Sequence, residues 1–213
     1  MSIVRITVIA VASLTLSLTA VAQQRDQFGQ AILPEQDQLI DRAKTLRLPY
    51  GKLPDEARED ARQSITILEP IIKSNPEHYR ALFNLALAQH EAGDYATANQ
   101  TFEQAIAVRQ KQSIPDISLL NSAGWVSMEN GDYATAEKRL LMALEEIGNG
   151  SPQTQGSVYN NLGQLYFYTQ RFEEAEKYLT IARDKYGSKT AAATIAQIKK
   201  TNQLYQIQQQ LKQ

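Results

Sequence analysis

One hexapeptide of this chain occurs twice. Gly93-Asp94-Tyr95-Ala96-Thr97-Ala98 returns unchanged 38 residues later as Gly131-Asp132-Tyr133-Ala134-Thr135-Ala136. A looser copy, Gln170-Arg171-Phe172-Glu173-Glu174-Ala175, follows 39 residues after that. Each copy joins two stretches with helical apolar spacing. A unit recurring at this period cannot bury its apolar face alone, whereas stacked neighbours bury a continuous core. The expected fold is therefore all-α: an α-solenoid of stacked helix-turn-helix hairpins, closed by a C-terminal capping helix.

Sliding the chain against itself aligns more than the turns. Ala98, Ala136 and Ala175 coincide, as do Ala105, Ala143 and Ala182, with Phe102, Leu140 and Leu179 between them. Upstream, Leu82, Leu120 and Tyr159 align, then Leu85, Ala123 and Leu162, then Ala86, Gly124 and Gly163. Tyr95, Tyr133 and Phe172 share the turn. Sites three, four and seven apart lie on one helix face. Small residues are expected where helix backbones approach closely, and larger apolar ones between the layers.

The pattern of Asn84-Leu85-Ala86, Gly93-Asp94-Tyr95, Ala98, Phe102 and Ala105 resembles the tetratricopeptide repeat, a helix-turn-helix unit of about 34 residues, and the resemblance implies that the α-solenoid is right-handed. Three copies cover 79–112, 117–150 and 156–189, with the extra residues in loops around Lys111–Asp116 and Gly148–Gln153. Residues 35–78 read as a divergent first hairpin. Leu39, Ile40, Ala43 and Leu46 give residues 35–48 helical spacing. The prolines and glycine of Leu48–Pro54 then impose a loop. A helix from about Asp55 to Lys73 follows, with a kink expected at Pro70. Its Ser64, Leu68 and Ile71 fall 34 residues before Ala98, Phe102 and Ala105. Asn75-Pro76 reads as a helix start. Helices are expected at about 76–92, 95–110, 116–130, 133–147, 151–169, 172–186 and 189–211. Residues 190–213 form the cap, with Ile195, Ile198, Leu204, Tyr205, Ile207 and Leu211 as its apolar sites.

The N-terminus has a different character. Arg5 is the sole charge before an apolar run from Ile6 to Leu18, which ends in the small-residue site Ala20-Val21-Ala22. Residues 1–22 read as a secretory signal peptide, and 23–34 as a mobile mature N-terminus. The rival reading is a retained membrane anchor. The chain holds no cysteine, so neither a disulfide nor a lipid-modified cysteine is available. The expectation is an exported protein of bacterial type, periplasmic or secreted, with no stable membrane insertion after cleavage. A net charge of −1 argues against nucleic-acid binding, which needs clustered Lys and Arg.

Catalytic chemistry finds little support. His78 and His90 are the only histidines, and with no cysteine beside them a metal site is not expected. The chain has no Gly-x-Ser-x-Gly and no phosphate-binding glycine loop. Adjacent carboxylates at Glu145-Glu146 and Glu173-Glu174 point about 100° apart on a helix and do not converge. The reading is a non-enzyme without cofactors. The resemblance implies that the first helix of each hairpin lines a groove for a partner peptide or helix. Carried over position by position, the groove candidates are Arg80, Phe83, Asn84, Leu87 and His90 in the first copy. They are Asn121, Trp125 and Met128 in the second, and Asn160, Asn161, Gln164, Phe167 and Tyr168 in the third. Amides suit a peptide backbone and aromatics take side chains. Trp125, the only tryptophan, is expected to face the groove as an anchor, extended by Met128. Phe83, Leu87, Ser118 and Ser157 stand where a basic clamp for chaperone tails would need other residues, so that use is disfavoured. The expected function is a protein-binding adaptor of the cell envelope. The alternative is a self-associating structural protein, a homo-oligomer.

Overall fold

The computed structural model describes residues 34–47 and 54–210. The expected leader 1–22 lies outside them, as do nearly all of the segment 23–34, the loop 48–53, and the side chains of Leu204, Tyr205, Ile207 and Leu211. Among the described residues there are nine α-helices and no strand. They are α1 (Pro34–Leu46), α2 (Pro54–Ser74), α3 (Tyr79–Glu91), α4 (Tyr95–Gln112), α5 (Ile117–Glu129), α6 (Tyr133–Glu145), α7 (Pro152–Tyr168), α8 (Phe172–Tyr186) and α9 (Lys189–Gln210). A short 3-10 turn, Ile147–Asn149, follows α6. Two compact units divide the chain, residues 1–93 and 94–213.

In the first unit α2 packs against both α1 and α3. Ile40 and Ala43 of α1, Leu68 and Ile71 of α2, and Ala81 and Leu85 of α3 make its core. Ser64 is fully buried among them, and its hydroxyl donates to the Ala43 carbonyl at 2.8 Å, so a polar side chain stands at a small-residue site without an orphan. Pro70 lies inside α2, which continues to Ser74. The helix start expected at Asn75-Pro76 is displaced. The Asn75 side-chain oxygen accepts from the Glu77 N–H at 3.2 Å and its carbonyl from His78 N–H, which holds 75–78 as a turn. α3 begins at Tyr79, and His78 is its N-cap.

The second unit shows why the hexapeptide repeats. Gly131 has φ of 79°, a region that favours glycine, and Asp132 caps α6 by accepting from Thr135 N–H at 3.1 Å. Asp94 caps α4 through Thr97 N–H at 3.1 Å in the same way. The third copy lacks both devices. Gln170 adopts φ of 61° without being glycine, and Arg171 makes no side-chain cap to α8. Arg171 instead reaches Glu137 at 2.8 Å and Glu174 at 2.9 Å and lies over the Tyr166 ring.

The aligned small residues are close-packing sites. Ala98, Ala105, Ala136, Ala143, Ala175 and Ala182 are all fully buried. A Cβ on Gly124 would stand 2.6 Å from Leu140 Cγ, and one on Gly163 would stand 2.4 Å from Leu179 Cγ. These are equivalent pairs one repeat apart. Helix α8 packs on both α7 and α9, and α7 also touches α5 and α9. On α9, Ala191, Thr194, Ile195 and Ile198 are buried, while Ala192, Ala193, Ala196, Lys199 and Lys200 are exposed.

Candidate functional site

The second unit carries a trough of about 650 Å³. Its floor and near wall come from α5 and α7, through Asn121, Gly156, Ser157, Asn160 and Asn161. Its far wall is the α8–α9 corner, through Lys185, Tyr186, Ser188 and Thr190. Helical periodicity accounts for the near wall, since positions 153, 156, 157, 160 and 161 fall on one face of α7. Gly156 leaves room for Tyr186, whose Cβ would otherwise meet the added Cβ at 2.7 Å.

The amides in the trough are only partly used. Asn161 Nδ2 donates to Asn121 Oδ1 at 3.0 Å, and Ser188 Oγ donates to Asn160 Oδ1 at 3.0 Å. Among the described residues this leaves Asn121 Nδ2 and Asn160 Nδ2 as free donors and Asn161 Oδ1 as a free acceptor. Reversing both members of the Asn121–Asn161 pair still leaves one donor and one acceptor. That is the hydrogen-bonding complement of a peptide group.

Trp125 stands one helical turn beyond Asn121 on the same face of α5 and is half-buried. Phe167 is also half-buried, and Tyr168 is 53% exposed. Between α7 and α8 runs a row of rings that sequence reading missed. Tyr186 stacks on Tyr159 at 5.7 Å, Tyr159 on Tyr178 at 6.4 Å, and Tyr178 on Tyr166 at 5.5 Å. Arg171 lies 4.2 Å from the last ring centre. Burial and the neighbouring Glu137 carboxylate push the Tyr166 hydroxyl up to about 12. Its phenol therefore stays protonated and donates to Glu137 at 3.0 Å. Stacked rings held at both ends give the trough a stiff wall.

Several groove candidates sit elsewhere than expected. Met128 is only 4% exposed, so it extends the core and not an apolar spot beside Trp125. Three residues along a helix is a rotation of about 60° from the starting face, enough to turn a side chain from rim to interior. Gln164 is 8% exposed and donates to Thr194 Oγ1 on α9 at 2.8 Å. The final helix covers it, which its reading as a cap beyond the last hairpin did not anticipate. Arg80, in the first unit, is paired with Asp37 and lies 3.4 Å from Asp41, both on α1, so its charge is already answered. Asn84 is likewise engaged, accepting from Arg47 at 2.9 Å and donating to the Arg80 carbonyl at 2.8 Å. Phe83, Leu87 and His90 are half-buried in that unit. The residues missed were Lys185, Tyr186, Ser188 and Thr190. The break at Gly187-Ser188 marked their corner, but no repeat position predicted that it would fold over α7. Among the described residues no group of acidic and histidine side chains could hold a metal, and no helix is long and apolar enough to cross a membrane.

Family models for the tetratricopeptide repeat match residues 56–116 and 156–183. These two stretches are tetratricopeptide repeats. A tetratricopeptide-repeat chain of this kind is an all-α helical-repeat solenoid, and its solved neighbours share that fold. One is Pseudomonas aeruginosa pilF, at 20% identity and a TM-score of 0.63, covering 80% of this chain and 72% of that one. A second is a putative kinesin light chain with nearly identical TPR-like repeats from Podosopora anserina, at 16% identity and a TM-score of 0.63, covering 84% and 93%. A third is a double mutant of MamA, at 16% identity and a TM-score of 0.55, covering 81% and 98%. No curated protein matches the sequence. Tetratricopeptide repeats are protein-interaction scaffolds, and that is the class of this chain.

Proposed function

We propose that this chain is a non-catalytic adaptor of the cell envelope that holds an extended segment of a partner protein in the trough of its second unit. The observation that carries the reading is the unspent amide set of Asn121, Asn160 and Asn161 lining a 650 Å³ trough. An extended segment has backbone N–H and C=O groups that lose water on docking and need such partners. Trp125, half-buried one turn away, supplies apolar area for a side chain of the same segment. Placement in the envelope rests on the apolar run and the Ala20-Val21-Ala22 site.

The test is capture from envelope extract by the wild-type chain and by an Asn121→Ala/Asn161→Ala variant of unchanged helicity. A partner retained by the first and lost by the second supports the reading. Equal capture by both overturns it. N-terminal sequencing of the exported protein should begin at Gln23, and a membrane-bound form retaining Met1 would refute soluble export. Sedimentation of the purified chain addresses the self-association alternative, which a monomer at micromolar concentration would eliminate.

A further inference from the structure

Asparagine stands before glycine twice in this chain, at Asn130-Gly131 and at Asn149-Gly150. Such a pair is labile, because glycine offers its backbone nitrogen to the asparagine side chain with no Cβ in the way. The nitrogen reaches the side-chain carbon only when the chain turns about the asparagine Cα–C bond. That turn breaks any hydrogen bond the glycine N–H donates. Local structure therefore decides which pair reacts.

Both asparagines are exposed, but their backbones are held differently. Asn130 ends α5 with φ of −79° and ψ of −1°. Gly131 N–H donates to the Met128 carbonyl at 3.0 Å, and Asp132 N–H to the Ser127 carbonyl at 2.9 Å. Paired bonds of this kind lock a helix end. Asp132 in turn caps α6, so a rotation at Asn130 disturbs the helix end and the cap together. Asn149 closes the 3-10 turn in the longer link between α6 and α7. There Gly150 N–H donates to the Ile147 carbonyl at 3.2 Å, at the long end of such bonds. The φ of Gly150, −97°, is open to any residue, so its backbone does not call for glycine. Its surroundings do, since a Cβ there would stand 2.3 Å from Ile117 Cδ1. Packing on α5 thus keeps the reactive glycine in place. The Gly150 carbonyl also accepts from Gln155 Nε2 of α7 at 2.9 Å.

We infer that Asn149 is a site of self-modification, which converts it to isoaspartate. The Gly150 nitrogen gives up its proton to base and attacks Asn149 Cγ. The new N–Cγ bond closes a five-membered imide, and the Cγ–Nδ2 bond breaks as ammonia leaves with a proton. Water then opens the ring. Opening at the main-chain carbonyl routes the chain through the former side chain and gives isoaspartate, while opening at Cγ gives aspartate. The net change is water taken up and ammonia released, with nothing oxidised or reduced. Isoaspartate puts one more atom into the main chain ahead of Gly150. The contact with Ile117 and the bond from Gln155 are then strained, at the point where Ser151 caps α7 and Pro152 and Gln153 line the trough.

The full chain is incubated at neutral and at mildly alkaline pH, then mapped by mass spectrometry with fragmentation that separates isoaspartate from aspartate. In the folded chain isoaspartate should build up at Asn149 about tenfold faster than at Asn130. Build-up should be faster at the alkaline pH, because base promotes the first step. In denaturant the two sites should react alike, and Asn149→Gln should abolish the signal at its own site. The isoaspartate form, isolated by chromatography, should melt about 2–4 °C below the unmodified chain. Asn149→Asp carries the same charge on a normal main chain and should melt within about 1 °C of wild type. Equal rates at the two sites of the folded chain, or an Asn149 that reacts only in denaturant, overturn the inference. A melting loss shared by Asn149→Asp overturns the role given to the lengthened main chain.

Discussion

Asn84 and Asn161 are the same residue at the same repeat position, one in each unit, and they do different things. Asn84 accepts from Arg47 and donates to the Arg80 carbonyl, so both ends of its amide are taken. Asn161 gives one bond to Asn121 and faces a trough with its oxygen unspent. The difference comes from the helix each one meets. In the first unit α1 brings Asp37 and Asp41, and the turn after it Arg47, against α3, and the equivalent face becomes an ion-paired contact. In the second unit α5, α7 and α9 bring amides and hydroxyls, and the face stays open. Repeat register fixes where a side chain stands, and its neighbour fixes whether it is free to bind.

The largest effect expected from this contrast concerns packing. Gly163 has no room for a side chain, with Leu179 Cγ at 2.4 Å and Leu179 N at 3.1 Å from an added Cβ. Gly163→Val should cost about 3 kcal/mol in chemical denaturation, and Ala136→Leu about 1–3 kcal/mol. Ala86 holds the equivalent place in the first unit and already carries a Cβ, fully buried. Ala86→Gly should lose about 1 kcal/mol, mainly through helix propensity. A Gly163→Val chain as stable as wild type would erase the difference in helix approach between the units.

Next comes binding. Trp125→Ala should weaken partner capture by about 2 kcal/mol or more. Its stability cost should stay below the 3–5 kcal/mol, roughly, of a sealed core aromatic, because Trp125 is half-buried. Its emission should be quenched in the free chain and protected by the partner. Leu87→Ala, at the same position in the first unit, should change affinity by less than about twofold, a loss under roughly 0.5 kcal/mol. Equal losses from the two variants would show that both faces bind.

Arg47 offers a smaller test. It is buried, its Nε and Nη1 lack hydrogen-bond partners, and burial lowers its pKa against the opposing pull of Glu91 at 3.7 Å. Replacing a buried ion pair as a whole by apolar side chains is often neutral or stabilising. Arg47→Met combined with Glu91→Met should therefore shift stability by no more than about 1 kcal/mol. A loss of several kcal/mol would mean that the ion pair holds α1 in place.

The smallest effect is one of sign. Burial raises the Glu91 pKa, with Arg47 and then His90 pulling the other way. Its contribution is present below the unfolded value of about 4.5 and is lost as pH rises through the folded value. The hydrogen bonds from Thr135 lower the Asp132 pKa. Its contribution is present above the unfolded value of about 3.8 and is lost as pH falls through the folded value. Glu91→Gln should remove a decline on the rising side, and Asp132→Asn should remove a decline on the falling side while keeping a cap. Denaturation between pH 3 and 6, roughly, resolves the two slopes. Slopes of the same sign would refute the assignment.

What the sequence determined by itself was local and periodic. Gly131 and Asp132 set a left-handed residue followed by a helix cap, and that chemistry acts within four residues of chain. The alanines at 98, 105, 136, 143, 175 and 182 had to be interior, because only one helix face can be buried and they recur along it. Helix limits followed to within a few residues, apart from the start at Tyr79, where a side-chain turn at Asn75 competed with the cap. The site was legible only in part. Asn121, Asn160 and Asn161 were named from register and do line the trough. Tertiary structure alone decided that Gln164 would bond Thr194, that Arg80 would pair with Asp37, and that Lys185 and Tyr186 would close the far wall. Those outcomes join residues 30 and 43 positions apart, or turn on the corner between α8 and α9. Periodicity gives the face of a helix, but which polar group lies opposite that face depends on how two helices cross, and no single segment encodes the crossing.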